Sequence, residues 1–254
     1  MCGRFALTAT PEELAATFAM FDLEDFPPRY NIAPTQPILT VIAGPPREPG
    51  SNLPDRRPLL VRWGLIPSWA KDPKSLPLLI NARSETAVEK ATFRAAMRHR
   101  RVLVPASGFY EWKREAKKTG QAYYIRPRDG GMVAFGGLME TFSEPGGSEI
   151  DTGAILTTEA NAQIAAIHDR MPVVIRPQDF ARWLDCRTSE PRDVADLLAP
   201  VEPGFFEAIP VSPRVNKVAN TGPDIQDRVE AQAVTKDQPS AEKPAFDEPQ
   251  LKLL

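Results

Sequence analysis

The sequence predicts an α+β fold: a single β-rich domain with peripheral helices over residues 2–222, and a disordered tail over residues 223–254. Three observations predict it. Many short strand-like runs are interspersed with only a few helical stretches, which argues against regular βαβ winding. No internal repeat divides the chain. Beyond Pro223 the composition turns polar and proline-rich, with Phe246 its only aromatic residue. Such a segment has too little apolar area to offset its ordering entropy.

Gly3-Arg4-Phe5-Ala6-Leu7 opens as a strand. Thr10-Pro11-Glu12-Glu13 is a capping box with proline at the first helical position, and Leu14, Phe18 and Phe21 carry the helix's apolar stripe to about Met20. The prolines at 27, 28 and 34 exclude regular structure over residues 26–34 and leave an extended lead into a strand near Ile38–Ala43. Residues 44–58, rich in Pro, Gly and Arg, form a surface loop before a strand at Leu59–Ile66. Ile80-Asn81-Ala82-Arg83 is extended. A helix over Glu89–His99 aligns Lys90, Arg94, Arg98 and Arg101 as a basic stripe. Strands follow at Arg101–Pro105, Gly108–Arg114, Ala122–Arg126, Val133–Leu138 and Ile150–Thr157. Asn161–His168 is a short helix, Val173–Ile175 a strand, and Phe180–Asp185 and Arg192–Leu198 are helical.

Composition excludes several classes. Two cysteines, Cys2 and Cys186, give no disulfide framework, which fits a reducing compartment. With two histidines, His99 and His168, and no zinc-ligand spacing, neither a metal nor a cofactor is expected. No apolar run is long enough to span a bilayer, and Arg4 and Thr8 interrupt any signal sequence, so a cytoplasmic protein, a monomer, is expected. The net charge of −2 conceals an asymmetry. Residues 83–118 hold ten Lys/Arg against four acids, a local +6, whereas residues 223–254 hold seven acids against four bases, a local −3. A basic segment of this kind suits an anionic partner, and equally a solvated helix face.

The chemistry starts at Met1-Cys2-Gly3-Arg4. Trimming Met1 gives Cys2 a thiol and an α-amine on adjacent carbons, both partly deprotonated near neutrality at their ordinary pKa values of roughly 8 to 8.5. That pair can bond one aldehyde carbon and close a five-membered thiazolidine; a buried packing cysteine is the bland alternative. Strand alternation places Phe109, Glu111 and Lys113 on one face, so Glu111 is either an acid raised by apolar neighbours or an exposed partner of Lys113. His168 caps a helix C-terminus or shuttles protons. Asn81 and Arg83 face one side of an extended stretch, suited to a sugar and a phosphate, or to a turn and a plain surface. Arg4 shares the face of Cys2 if the strand begins there, and would hold a second phosphate. Trp63, Trp69 and Trp112 offer stacking surfaces or core packing.

Six ordered motifs decide among these readings: Met1-Cys2-Gly3-Arg4-Phe5, Tyr30-Asn31-Ile32-Ala33-Pro34, Arg62-Trp63-Gly64-Leu65-Ile66-Pro67, Ile80-Asn81-Ala82-Arg83-Ser84-Glu85-Thr86, Pro105-Ala106-Ser107-Gly108-Phe109-Tyr110-Glu111-Trp112 and Ile167-His168-Asp169-Arg170-Met171-Pro172. From Cys2 to about Asn220 the chain resembles the SRAP (SOS response-associated peptidase) family, which shields abasic sites in single-stranded DNA. The resemblance implies catalytic roles for Cys2, Asn81, Glu111 and His168, and DNA contacts from Arg4, Pro34, Trp69 and Arg83. It also implies removal of Met1 by a peptidase-like step and a covalent DNA–protein crosslink. Ala70 follows Trp69 where the family often has a second aromatic residue. Rival readings are an N-terminal-nucleophile glutamine amidotransferase, which also begins Met-Cys-Gly, a thiol peptidase, and a non-covalent single-strand binder. The chain has no Asn-Gly dipeptide to serve the first of these as an oxyanion element.

Overall fold

A computed structural model describes residues 2–20, 23–45, 55–113, 120–144 and 146–230. In chain order the elements are β1 (Phe5–Leu7), α1 (Pro11–Phe18), β2 (Arg29–Ile32), β3 (Pro37–Ala43), β4 (Arg56–Trp63), β5 (Asn81–Arg83), α2 (Ser84–Ala87), α3 (Arg94–His99), β6 (Arg101–Ala106) and β7 (Gly108–Trp112). They continue with β8 (Ala122–Pro127), β9 (Val133–Ser143), β10 (Glu149–Glu159), β11 (Arg170–Pro172), β12 (Val174–Ile175), α4 (Phe180–Leu184) and β13 (Phe206–Val211). The fold is the β-rich α+β type, its helices short and peripheral.

Strands β10, β4, β3, β6 and β9 pair in a ring, because β9 bonds both β6 and β10. Closure removes the free edges that an open sheet exposes. Past the ring, the C-terminal part of β10 is flanked on both edges. Thr157 pairs with Arg83 of β5 on one side and with Pro172 of β11 on the other. A second, antiparallel sheet has the order β13-β8-β7-β1-β2.

The main core fills the space between the sheets. Phe5 meets Trp63 edge-on at 5.2 Å, and Phe109 meets Phe135 at 6.0 Å and Phe206 at 5.5 Å. Edge-to-face pairs of this kind add about 0.5–1.5 kcal/mol each beyond the area they bury. A second core lies on the far face of the five-stranded sheet, where Tyr110 and Tyr124 pack with Ile209, Val211, Val215 and Ile225. The alternation expected in β7 holds: Phe109 joins the first core, while Tyr110 and Trp112 belong to the second.

Helix α1 starts at the expected capping box, with Thr10 accepting from the Glu13 amide and the Glu13 carboxylate accepting from the Thr10 amide. Other expectations are corrected. The run from Arg29 to Ile32 is a strand after all: four residues fit between Pro28 and Pro34 on a sheet edge, where missing amide donors are tolerated. β13 contains Pro210 and is likewise an edge strand. Residues 161–168 form only a single 3-10 turn, Ile164–Ala166, which the Asn161 side chain opens by accepting from the amides of Gln163 and Ile164.

The helix expected over 89–99 shrinks to α3, and Arg101 leaves the basic stripe entirely. It is buried in β6, donating to the carbonyls of Met97, Trp183, Asp185 and Ser189. Residues 223–230, expected to be disordered, are ordered. Pro223–Gln226 is a 3-10 turn with Ile225 fully buried, and the Val229 amide donates to the Pro210 carbonyl at 2.9 Å. Residues 231–254 lie outside the described residues, as do 46–54 of the predicted loop.

Candidate active site at the N-terminus

Regular strand pairing starts at Phe5, but the chain already follows β7 one residue earlier: the Tyr110 amide donates to the Arg4 carbonyl at 2.9 Å. That approach brings residue 2 beside the first-core face of β7, which carries Glu111. Cys2 is fully buried among first-core residues, and its carbonyl accepts a 2.9 Å hydrogen bond from Asn81 Nδ2. β5 makes this contact possible. Ala82 is buried, so Asn81 and Arg83 project to the opposite side of the strand, as alternation requires. The other end of the Asn81 amide, Oδ1, is buried and accepts no hydrogen bond among the described residues. An acceptor left open beside residue 2 suits an N–H or O–H donor arriving there.

Burial pushes the Cys2 thiol far above its ordinary value, and the charge of Glu111 pushes it further in the same direction. With residue 1 in place, a thiol so buried keeps its proton until a base removes it. Glu111 is itself buried, at 3% exposure, which rejects the picture of an exposed strand glutamate. Glu111 and Cys2 are thus both sheltered from water and close enough for the charge of one to act on the other.

His168 is buried and does not cap a helix. Its Nδ1 accepts the Arg170 amide at 2.9 Å, which leaves the ring proton of the neutral imidazole on Nε2. The Asp169 carboxylate lies 3.0 Å from the same nitrogen, a contact that becomes favourable only with a proton on Nδ1. The Arg170 guanidinium turns the other way. It forms a two-pronged pair with Glu85 at 2.8 and 2.9 Å and donates to the Thr157 carbonyl at 2.6 Å. This pairing holds the Glu85 carboxyl below its usual pKa.

The four residues expected to contact DNA divide. Arg83 is exposed and forms no ion pair among the described residues. Trp69 is 57% exposed on a turn. Pro34 sits in a turn closed by the Gln36 amide on the Ala33 carbonyl, and Thr35, which follows it, has φ = 72°. Proline presets the first corner of such a turn, while a left-handed threonine at the second costs about 1–2 kcal/mol. Arg4 departs from expectation. Cys2 enters the first core, but Arg4 turns toward the second, lying 6.0 Å from the Trp112 ring and donating Nη1 to Asn31 Oδ1 and the Val215 carbonyl. Cys2 and Arg4 do not share a face, because the strand begins only at Phe5. Trp63 is core, its indole donating to the Ile80 carbonyl, and Trp112 donates to Asn216.

Sequence reasoning did not assign Glu85, Arg170 or Thr35. Glu85 and Arg170 stand 85 residues apart, and only the pairing of β5 and β11 on either side of β10 brings them together. Among the described residues no group of three or more His, Cys, Asp or Glu side chains is placed to hold a metal, and no helix is long and apolar enough to cross a membrane.

A fully buried cysteine at the second residue, held through its carbonyl by Asn81 and within the field of the buried Glu111, marks this end of the barrel-like β-rich fold. Comparison with known proteins gives the family. Residues 1–218 match the model of the SRAP family, "SOS response associated peptidase", and the chain belongs to it. It is 38% identical over 228 residues to the abasic site processing protein YoqW of Bacillus subtilis, covering 89% of this chain and 98% of that one. To YedK of Escherichia coli, also named an abasic site processing protein, it is 32% identical over 233 residues, covering 89% and 98%. Among solved structures, a Bacteroides thetaiotaomicron protein superposes with a TM-score of 0.74 at 24% identity, covering 90% of this chain and all of that one.

Proposed function

We propose that this protein captures abasic sites in single-stranded DNA by forming a thiazolidine crosslink through Cys2 after Met1 is removed. The contact between Asn81 Nδ2 and the Cys2 carbonyl carries the reading. It fixes the residue whose nitrogen and sulfur must both reach one carbon, which is the geometric condition for ring closure. The names of the relatives supply the substrate.

In the reaction, the Cys2 amine adds to the C1′ aldehyde of the ring-opened deoxyribose, and loss of one water gives an imine. The thiol proton passes to Glu111, the sulfur adds to the imine carbon, and the imine nitrogen takes up a proton. Atoms balance as aldehyde plus aminothiol giving thiazolidine plus water. Asn81 Oδ1 accepts from the free amine or from the sugar. His168 moves protons during imine formation and reversal. Arg83 holds a flanking phosphate, with Trp69 and Pro34 against neighbouring bases.

The test is a denaturing gel with single-stranded DNA bearing one abasic site. A heat-stable shifted band that disappears in Cys2→Ala supports the reading. Crosslinking that survives Cys2→Ala overturns it, and glutamine hydrolysis without a band favours the amidotransferase.

A further inference from the structure

We infer that Glu85 is a positioning residue for His168: by anchoring Arg170, it decides which nitrogen of the imidazole carries the proton. The inference rests on the crosslinking role proposed above for its catalytic consequence, but not for its structural content.

Two groups compete for His168 Nδ1. The Arg170 amide donates to it at 2.9 Å and requires a bare nitrogen, whereas the Asp169 carboxylate, 3.0 Å away, gains a hydrogen bond only if Nδ1 is protonated. The outcome depends on how firmly the Arg170 backbone is held. Its guanidinium is pinned by both Glu85 oxygens and by the Thr157 carbonyl. Arg170 is 9% exposed, so losing Glu85 strands a nearly buried cation, and the segment must shift to rehydrate it. Asp169 is the group that profits, since its side chain is 74% exposed and free to follow the ring. Glu85 thus keeps the proton on Nε2, away from Asp169.

Glu85 also lies in the field of Arg83, the exposed cation on the adjoining strand. Removing its charge makes that surface more positive. Binding and chemistry should therefore separate, which a general loosening of the fold would not produce.

The experiment uses the full chain as Glu85→Gln, Asp169→Asn and the double variant. Affinity is measured for a single-stranded oligonucleotide carrying a reduced, unreactive abasic analogue, and single-turnover crosslinking is followed on the natural lesion. Long-range proton–nitrogen NMR of the DNA-free protein reads the ring tautomers, which is tractable with only His99 and His168 present. We expect wild type to hold the Nε2–H form. E85Q should bind the analogue at least as tightly yet crosslink about ten-fold or more slowly, a part of what a positioned acid–base group supplies. Its His168 proton should be shared between the two nitrogens. Adding D169N should restore both the tautomer and the rate. An unchanged tautomer in E85Q overturns the inference, as does a parallel loss of binding and rate that D169N does not repair. If the tautomers respond as expected but wild type forms no crosslink, the proposed function fails and the placement of Glu85 stands.

Discussion

Asn81 Nδ2 donates to the carbonyl of Cys2 at 2.9 Å, joining strand β5 to the second residue of the chain. A terminus ordinarily frays. Here it is secured by one side chain, whose remaining oxygen is left open at the same place.

The first prediction concerns that tether. Asn81→Ala removes a partly buried hydrogen bond worth roughly 1–3 kcal/mol. If the loss falls on the transition state, single-turnover crosslinking slows by about ten- to a hundred-fold. Melting should fall by only about 2–4 °C per kcal/mol lost, because the cores are untouched. A rate within two-fold of wild type, by a rough noise criterion well under one decade, contradicts the tether's role.

Glu111→Gln keeps the shape and removes the charge. That charge is the second cause, after burial, of the raised Cys2 thiol. Its loss should move the pH dependence of Cys2 alkylation to lower pH while slowing crosslinking, because the base is gone. An alkylation profile that stays put or moves upward shows that Glu111 does not act on the sulfur.

Arg83→Ala deletes an exposed cation without an ion-pair partner among the described residues. Binding to single-stranded DNA should weaken, and the salt dependence should lose about 0.7 of a unit of slope, the share of one phosphate contact on a single strand. Deleting residues 231–254 should weaken binding less. Equal effects of the two changes count against a phosphate contact at Arg83.

Alkaline stability follows from the buried acids of both cores. Burial raises the Tyr124 hydroxyl to about 12 and moves Tyr110 and Cys2 upward as well. These groups keep their protons in the folded state at pH values where the unfolded chain has lost them. The unfolded state then binds fewer protons, so stability is intact below pH ~9 and declines above it. Each group contributes up to about 1.4 kcal/mol per pH unit. Tyr124→Phe should flatten the decline above pH ~10 by up to one proton, measured as unfolding free energy against pH; an unchanged slope rejects the assignment.

Much of this was legible in the chain. Capping at Thr10, the face-sorting of Phe109 from Tyr110, and the pairing of Asn81 with Arg83 on one side all follow from local periodicity. What escaped depended on long-range pairing. β2 lies among prolines that read as a loop until its edge position is known, and β13, which contains Pro210, carries no local signal that assigns it. Arg101 looks like one more cation in a basic run, yet four distant or helix-end carbonyls bury it. Arg4 faces away from Cys2 because the strand starts three residues after Cys2, not at it.

The most direct test of the central claim is intact-mass spectrometry of the product formed with an abasic oligonucleotide, followed by alkylation of its N-terminal peptide. The account predicts a mass equal to protein lacking Met1 plus DNA minus one water, with the Cys2 sulfur resistant to alkylation. An adduct that retains Met1, or one whose Cys2 thiol still alkylates, contradicts it.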